Sequence, residues 1–228
     1  MRFLYLNVKK YVAVFVIGIL FSFASFSQGI TTASEFFKSV SEYYGTIKDY
    51  QASVAVQVGK EDMKAKVTYL SPDKVRMDFS VPAEQTIVFN GNTLTVFLPG
   101  SAAVLTQNAN SGNGGNIASA DGLSLLRRYY SVSYENNQDS VPLDEDSDEM
   151  VVRLVLWRRT TAEAFRNIKL AINPQTKLIR RLEAITPAGV TYKFDFTNYE
   201  LNQGLTAQRF VYDIPSAANN YDNFLFSE

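Results

Sequence analysis

The chain of 228 residues has no cysteine and no histidine, and it contains only one tryptophan. Without cysteine the protein must fold without disulfides, and it lacks the thiol to which bacterial lipid anchors are attached. Without histidine the Ser-His-Asp and Cys-His catalytic arrangements and most transition-metal sites are excluded. Any catalysis would have to rest on carboxylates, lysine, tyrosine or arginine alone, and we expect no catalytic residue, no metal site and no cofactor.

The first 27 residues differ in composition from those that follow. Three basic residues precede an apolar run over residues 12–23, and Ser25 and Ser27 are small residues at the −3 and −1 positions of a cleavage site. This pattern predicts a cleaved secretory signal peptide over residues 1–27, and we expect a single domain over residues 28–228. A retained membrane anchor is the alternative, but the apolar run is shorter than the roughly 17 to 25 residues of a membrane span.

The charge balance is mildly acidic. Removal of the signal peptide takes three basic residues and no acidic ones from a formal net charge of −1, which leaves −4. This balance argues against nucleic acid as a partner, because nucleic-acid binding requires a basic face. The same balance argues against simple electrostatic adhesion to an anionic membrane. We expect a monomer that binds no nucleic acid.

Residues 71–100 have the pattern of an antiparallel meander. Apolar and charged residues alternate over residues 74–79, which predicts a strand with one apolar face. Pro82 interrupts the ladder because it has no N–H to donate. The Asn-Gly-Asn sequence at residues 90–92 then supplies the turn of a hairpin.

Similar alternation recurs along the chain and predicts about eleven strands with two or three helices. An amphipathic helix is predicted over residues 31–47, with Thr32 and Glu35 spaced as a capping box and Gly45 as its stop. Strands without interleaved helices favour one large antiparallel sheet over a parallel α/β fold. The expected fold class is therefore mainly β (α+β).

One face of this predicted sheet is rich in large apolar side chains, among them Phe194 and Phe196 near the C-terminus. At roughly 1.5 to 3 kcal/mol for each large side chain that is fully buried, these residues strongly favour being covered. Two or three helices have too little area to cover eleven strands. The sheet must either close and fill with side chains or leave an apolar cavity for a ligand. The residues that we expect to line such a cavity are Val54, Val56, Val67, Tyr69, Val75, Met77, Phe79, Ile87, Phe89, Leu94 and Val96.

A polar loop rich in glycine, asparagine and serine is predicted over residues 107–120. A short helix follows over residues 121–130 and carries Leu123, Leu125 and Leu126. A leucine-rich helix attached to a flexible loop is a candidate lid for the cavity. A helix that merely plugs one end of a barrel is the alternative.

The order of these features resembles the periplasmic outer-membrane lipoprotein carrier protein family, LolA. The resemblance covers most of residues 35–215 as spaced short matches. The matching segments are Asp49-Tyr50-Gln51-Ala52-Ser53, Lys74 to Phe79, Gln85-Thr86-Ile87-Val88, Asn90-Gly91, Leu94-X-Val96-Phe97, Phe165-X-X-Ile168-X-Leu170, Gly189-Val190-Thr191-Tyr192 and Asn198-Tyr199.

This resemblance implies an open, incomplete antiparallel barrel covered by helices, whose apolar cavity shields the acyl chains of lipoproteins between the two membranes. It also implies an inner-membrane lipoprotein-releasing transporter as donor and an outer-membrane acceptor. Family members commonly carry Arg-Pro at the turn before the basic-aromatic strand, where the arginine helps to hold a lid shut. Here the turn is Ser71-Pro72. Strand alternation places Arg76 on the opposite face from Met77, so Arg76 is a poor substitute for that arginine.

Two other functions fit the sequence less well. A domain that senses lipoproteins or envelope stress and signals to a partner would use the same scaffold. An enzyme such as a glycosidase would need paired carboxylates, for instance Glu183 and Asp195, but such pairs are common by chance. The acidic run over residues 144–149 lacks the glycine of a calcium loop, so we expect a solvated loop there.

Overall fold

The computed structural model describes residues 31–108 and 119–223. The predicted signal peptide over residues 1–27 and most of the predicted polar loop over residues 107–120 lie outside the described residues. Cleavage of the signal peptide and the domain boundary at residue 28 therefore stay predictions.

Within the described residues the fold is built on one thirteen-stranded sheet, in which all neighbours are antiparallel except the last strand at one edge. In the described part of the chain the strands are β1 (Asp49–Val58), β2 (Glu61–Leu70), β3 (Lys74–Val81), β4 (Ala83–Phe89), β5 (Thr93–Leu98), β6 (Ala103–Asn108), β7 (Tyr130–Tyr134), β8 (Val141–Pro142), β9 (Met150–Arg158), β10 (Asn167–Ile172), β11 (Ile179–Ile185), β12 (Thr191–Leu201) and β13 (Asn219–Asp222). The predicted mainly β class is confirmed. The predicted count of about eleven strands is low, because the alternation pattern does not indicate β6, the two-residue β8 or β13. The side chains of β13 are all exposed.

The sheet is open. Its strand order is β13-β6-β5-β4-β3-β2-β1-β12-β11-β10-β9-β7, and β8 pairs with β9 beside this path. The pairing of β1 with β12 joins an N-terminal and a C-terminal group of strands. Since the edge strands β7 and β13 do not pair with each other in the described structure, the sheet is an open half-barrel, and the predicted incomplete barrel is confirmed.

Two α-helices are present among the described residues, α1 (Ala33–Thr46) and α2 (Ala120–Tyr129). The helix α1 begins with the predicted capping box. The Glu35 N–H donates to Thr32 Oγ1 at 3.2 Å, and the Thr32 N–H donates to Glu35 Oε2 at 3.0 Å. Two N–H groups at the start of the helix are satisfied in this way.

The two helices approach each other closely near Gly45. The prediction that Gly45 stops α1 is wrong, because this residue lies inside the helix and the C-cap is Ile47. A Cβ atom at Gly45 would lie 3.7 Å from Ala120 Cβ, and Ser41 Oγ donates to the Ala120 carbonyl at 3.4 Å. Gly45 therefore lies at the contact between the two helices rather than at a turn.

The helices and one face of the sheet share a single hydrophobic core. We call this the inner face, and it carries Val54 of β1 and Leu154 of β9. Phe37 and Val40 of α1 and Leu123 of α2 are completely buried against it. At roughly 1.5 to 3 kcal/mol for each buried large side chain, this packing holds the helices over the sheet.

The opposite, outer face of the sheet is covered between β3 and β6 by the chain that follows β12. Phe210 in this segment is buried, as are Val88 of β4 and Val104 of β6. The segment is also fixed by polar contact, since Arg76 Nη1 donates to the Arg209 carbonyl at 3.0 Å. The chain then ends its described course as β13, parallel to β6.

The predicted hairpin turn at residues 90–92 is confirmed. Gly91 has a φ of +99°, a conformation that favours glycine. Asn90 Oδ1 accepts hydrogen bonds from the N–H groups of Asn92 and Thr93, both at 2.9 Å. This turn aligns β4 with β5, so that Phe89 lies directly opposite Leu94 on the inner face.

Candidate apolar binding cavity

A cavity of about 210 Å³ lies on the inner face. Its wall is formed by one residue of α1 and by residues of five strands, β1, β2, β3, β11 and β12, and it contains no charged side chain. The lining residues are Tyr44, Val54, Val67, Val75, Met77, Ile179, Leu182, Phe194, Phe196 and Tyr199.

Sheet register explains how distant parts of the chain meet in this wall. Val54 of β1 pairs directly with Phe196 of β12, and Val67 of β2 pairs with Met77 of β3. Because directly paired residues point to the same side of a sheet, each pair presents two side chains to the cavity. Four of the eleven residues predicted as cavity wall line it, namely Val54, Val67, Val75 and Met77.

Three further predicted residues lie in the core rather than on the cavity wall. Val56, Tyr69 and Phe79 are buried with at most 8% of their surface exposed. They belong to the same inner face and to the same hydrophobic cluster. Their packing supports the wall from its sides.

The remaining four predicted residues lie farther toward the β13 edge of the inner face. Ile87 packs partly against the core, and Phe89, Leu94 and Val96 are half-buried. Register places Phe89 opposite Val75, and Val96 opposite Ile87. The structure therefore does not bring these four into the cavity, but it places them on an apolar surface that continues from it.

Four cavity residues are absent from the sequence-based expectations about the sheet face and the wall: Tyr44, Ile179, Leu182 and Tyr199. The meeting of Tyr44 with Ile179 depends on the packing of α1 on β11, over more than a hundred residues of chain. Phe194 and Phe196 also line the cavity. The sequence places these two phenylalanines on the apolar face of the sheet, but it does not predict that they lie beside β1.

The two tyrosines of the wall hydrogen-bond to the backbone of a single residue, Ile179. The Ile179 N–H donates to the Tyr44 hydroxyl at 3.1 Å, and the Tyr199 hydroxyl donates to the Ile179 carbonyl at 2.9 Å. Burial raises the pKa of the Tyr44 hydroxyl and raises the pKa of the Tyr199 hydroxyl well above its ordinary value. Both side chains are therefore neutral at physiological pH, and the cavity carries no charge.

Aromatic rings continue from the cavity toward the start of β1. Tyr199 lies 6.3 Å from Phe196 and 5.7 Å from Tyr50, and Tyr50 lies 5.1 Å from Tyr69, measured between ring centroids. Such contacts contribute about 0.5 to 1.5 kcal/mol per pair beyond simple burial. They stiffen the wall around Tyr199.

The predicted lid residues lie on α2 outside the cavity wall. Leu123 and Leu126 are buried in the core, and Leu125 is half-buried. The side of α2 that faces α1 is fixed by the contacts of Ala120 with Ser41 and Gly45. The roles of α2 as lid or as plug both stay predictions.

The turn that lacks the family arginine is held by other contacts. The Ser71 N–H donates to the Lys48 carbonyl at 2.8 Å, and the Tyr69 hydroxyl donates to the Pro72 carbonyl at 2.9 Å. Arg76 pairs with Asp78 at 2.8 Å on the outer face. It therefore does not reach the cavity, in agreement with the strand alternation.

The carboxylates considered for a glycosidase lie on the outer face, away from the cavity. Asp195 pairs with Arg181 and with Lys193, the latter at 3.4 Å, and Glu183 lies opposite Lys193 in the register. Arg181 also makes two hydrogen bonds to Asp144, at 2.9 and 3.1 Å, which lower the pKa of that carboxyl. Ion pairing accounts for the charge of Asp195, and Glu183 lies in a polar depression that also contains the basic residues Arg153, Lys169 and Arg181.

The protein is an open half-barrel with a helix over its inner face, and an apolar cavity lies between this helix and the sheet. These features define a class of scaffold that binds apolar ligands. The family model for the outer membrane lipoprotein carrier protein LolA matches residues 56–213, more than half of the chain. The chain therefore belongs to the LolA family, and the resemblance found in the sequence is confirmed.

Solved structures share this fold at low sequence identity. An uncharacterised conserved protein from Thermus thermophilus has a TM-score of 0.55 and 16% identity, over 83% of this chain and 98% of that chain. A chain of the Pseudomonas aeruginosa MucA/MucB complex has a TM-score of 0.50 and 13% identity, over 82% and 62%. A LolA superfamily protein from Nitrosomonas europaea has a TM-score of 0.43 and 13% identity, over 80% and 98%. No curated protein matches the chain.

None of the helices within residues 31–108 and 119–223 has both the length and the hydropathy to cross a membrane. Within the same ranges no three acidic side chains are grouped so that they could hold a metal ion.

Proposed function

We propose that this protein is a periplasmic carrier, which holds the acyl chains of lipoproteins in its cavity and shuttles them from the inner to the outer membrane. The observation that carries the proposal is the uncharged wall of ten apolar and aromatic residues. Each CH₂ group transferred from water to such a wall contributes about 0.8 kcal/mol. Membership of the LolA family supports the same role, with an inner-membrane transporter as donor and an outer-membrane protein as acceptor.

The size of the cavity limits what it holds without rearrangement. Its volume of about 210 Å³ exceeds the roughly 150 Å³ of an engineered apolar cavity that binds benzene. It is smaller than the roughly 300 Å³ at the lower end of pockets for drug-sized ligands. The cavity therefore accommodates part of one acyl chain, and the half-buried surface of Phe89, Leu94 and Val96 offers the continuation.

A substitution that fills the cavity tests this function. In the variant Met77→Trp a larger apolar side chain occupies the cavity wall without adding a charge. We expect binding of a fluorescent fatty-acid probe to weaken at least tenfold, because the ring takes the volume that the probe needs. The matched control is Lys66→Trp, which adds the same ring on the exposed outer side of β2. Both variants are first checked for native circular dichroism; unchanged probe binding by a folded Met77→Trp variant would overturn the proposal.

A second function is favoured by one observation. The structural relative from Pseudomonas aeruginosa was solved as a complex of MucA with MucB, so a scaffold of this fold also binds a protein partner. This chain would then be an interaction domain that detects lipoproteins and signals to a partner. Release of a lipoprotein from inner-membrane vesicles separates the two functions, because a carrier yields a soluble complex with the lipoprotein and a sensor does not.

A further inference from the structure

Five arginines lie at one corner of the sheet, and we call this group the arginine corner. Its members are Arg127 and Arg128 in the last turn of α2, Arg158 and Arg159 at the end of β9, and Arg166 before β10. Backbone hydrogen bonds join these segments. The Arg159 N–H donates to the Tyr129 carbonyl at 2.9 Å, and the Arg158 N–H donates to the Arg166 carbonyl at 3.3 Å.

The charge of the arginine corner is not balanced locally. Residues 127–131 and 157–166 contain the five arginines and a single acidic residue, Glu163, so their formal charge is +4. Within the described residues none of the five forms an ion pair, whereas Arg153, Arg180 and Arg181 each pair with a carboxylate. Arg128, Arg159 and Arg166 are exposed, and Arg127 and Arg158 are half-buried. The mildly acidic average of the chain therefore conceals a concentration of positive charge at this corner.

Exposed apolar and aromatic side chains surround these charges. Trp157 is 50% exposed, Val190 is 42% exposed and Tyr129 is 40% exposed. The Arg128 guanidinium lies 5.5 Å from the centroid of the Tyr129 ring. The hairpin that carries Val190 adjoins the corner, because the Arg166 N–H donates to the carbonyl of Ile185 at the end of β11.

We propose that the arginine corner docks the protein on an anionic membrane surface. Guanidinium groups form paired hydrogen bonds with phosphate, which is the charged group of phospholipid headgroups. Tryptophan and tyrosine side chains prefer the boundary between headgroups and hydrocarbon, where one end is apolar and the other is wet. An acidic protein would satisfy the five arginines, but a membrane interface also accounts for Trp157 and Tyr129 beside them. The proposal goes beyond cargo binding, since no residue of the corner lines the cavity.

The single tryptophan makes a direct test possible. Because Trp157 is the only tryptophan of the chain, its fluorescence emission reports on this corner alone. Addition of vesicles that contain phosphatidylglycerol is expected to shift the emission to shorter wavelength, and about 0.5 M salt is expected to reverse the shift. Vesicles of phosphatidylcholine alone are expected to leave it unchanged. An equal shift with both vesicles would overturn the proposal.

A pair of charge reversals assigns the binding to the corner. The variant Arg159→Glu/Arg166→Glu is expected to bind phosphatidylglycerol vesicles at least about thirtyfold more weakly. The matched control is Lys64→Glu/Lys66→Glu, which makes the same charge change at two exposed lysines of β2 and is expected to bind as the unmodified protein does. Equal losses in both variants, or binding to poly-glutamate in place of vesicles, would overturn the proposal. Probe uptake in the absence of vesicles is measured in parallel, so that failure of cargo binding is recognised separately.

Discussion

The hydroxyl of Tyr199 donates a 2.9 Å hydrogen bond to the carbonyl oxygen of Ile179. The N–H of the same Ile179 donates to the hydroxyl of Tyr44, so α1, β11 and β12 are connected through one residue at the cavity wall. This arrangement brings two polar groups into an apolar wall without leaving either of them unpaired.

Tyr199→Phe removes the donor to this carbonyl while keeping the ring. We expect the free energy of unfolding to fall by about 1 to 3 kcal/mol, because a buried acceptor loses its partner. Urea denaturation measures the change. The control is Tyr221→Phe on the exposed edge strand β13, for which we expect a change within about 0.5 kcal/mol. Equal stabilities of the two variants would contradict the importance of the Ile179 contact.

Tyr50 makes the free energy of unfolding depend on pH in the alkaline range. Burial raises the pKa of its hydroxyl well above the ordinary value of 10.0, so the folded state keeps a proton that the unfolded state releases. The contribution of this group is fully present below about pH 10 and is lost as the pH rises through the folded pKa. Tyr50→Phe removes it, so stability should fall less steeply from about pH 9.5 to about pH 11 than in the unmodified protein. Tyr44 and Tyr199 retain part of the slope; a Tyr50→Phe slope equal to that of the unmodified protein would contradict this account.

Asp49 fixes the chain where it leaves β12. Its carboxylate accepts hydrogen bonds from the N–H groups of Gln203 at 2.7 Å, Gly204 at 3.0 Å and Leu205 at 3.3 Å. Asp49→Ala should lower the free energy of unfolding by about 3 kcal/mol, because three N–H donors lose a buried, charged acceptor. Asp146→Ala, at an exposed site, should change it by less than about 0.5 kcal/mol. A loss below about 1 kcal/mol for Asp49→Ala would show that water replaces the carboxylate.

A disulfide placed at the contact between Gly45 and Ala120 distinguishes a lid role of α2 from a plug role. A Cβ at Gly45 would lie 3.7 Å from Ala120 Cβ, within the range of roughly 3.5 to 4.5 Å found in disulfides. Because the chain has no cysteine, Gly45→Cys/Ala120→Cys introduces a single possible disulfide. If α2 is a lid, the oxidised variant should take up the fluorescent fatty-acid probe at least tenfold more slowly, and reduction should restore uptake. Equal uptake in both redox states would contradict the lid and support the plug.

Local sequence patterns predicted the sheet and part of the cavity wall. The alternation of Val75 and Met77 with charged residues fixed their face before any pairing was known, and both residues line the cavity. The capping box of Thr32 and Glu35 was also predictable, because it depends on two residues three positions apart.

Long-range pairing accounts for what the sequence did not predict. The wall contains Tyr44, Ile179 and Tyr199 because α1 packs on β11 and β12, and no local periodicity specifies such a neighbour. The strand β13 was missed for a different reason: its side chains are all exposed, so its position depends on backbone pairing with β6 rather than on an apolar face. Gly45 was misinterpreted because a glycine at a close helix contact and a glycine at a helix end look the same in sequence.

Site-specific photo-crosslinking in living cells tests the central claim most directly. A photoreactive amino acid is placed at Met77 on the cavity wall or at Lys66 on the exposed side of the neighbouring strand. A carrier of acyl chains should give a crosslink at position 77 whose mass contains the lipid-modified N-terminus of a lipoprotein, and no such crosslink at position 66. Lipoprotein crosslinks at position 66 but not at position 77, or none at either position with folded protein, would contradict the account.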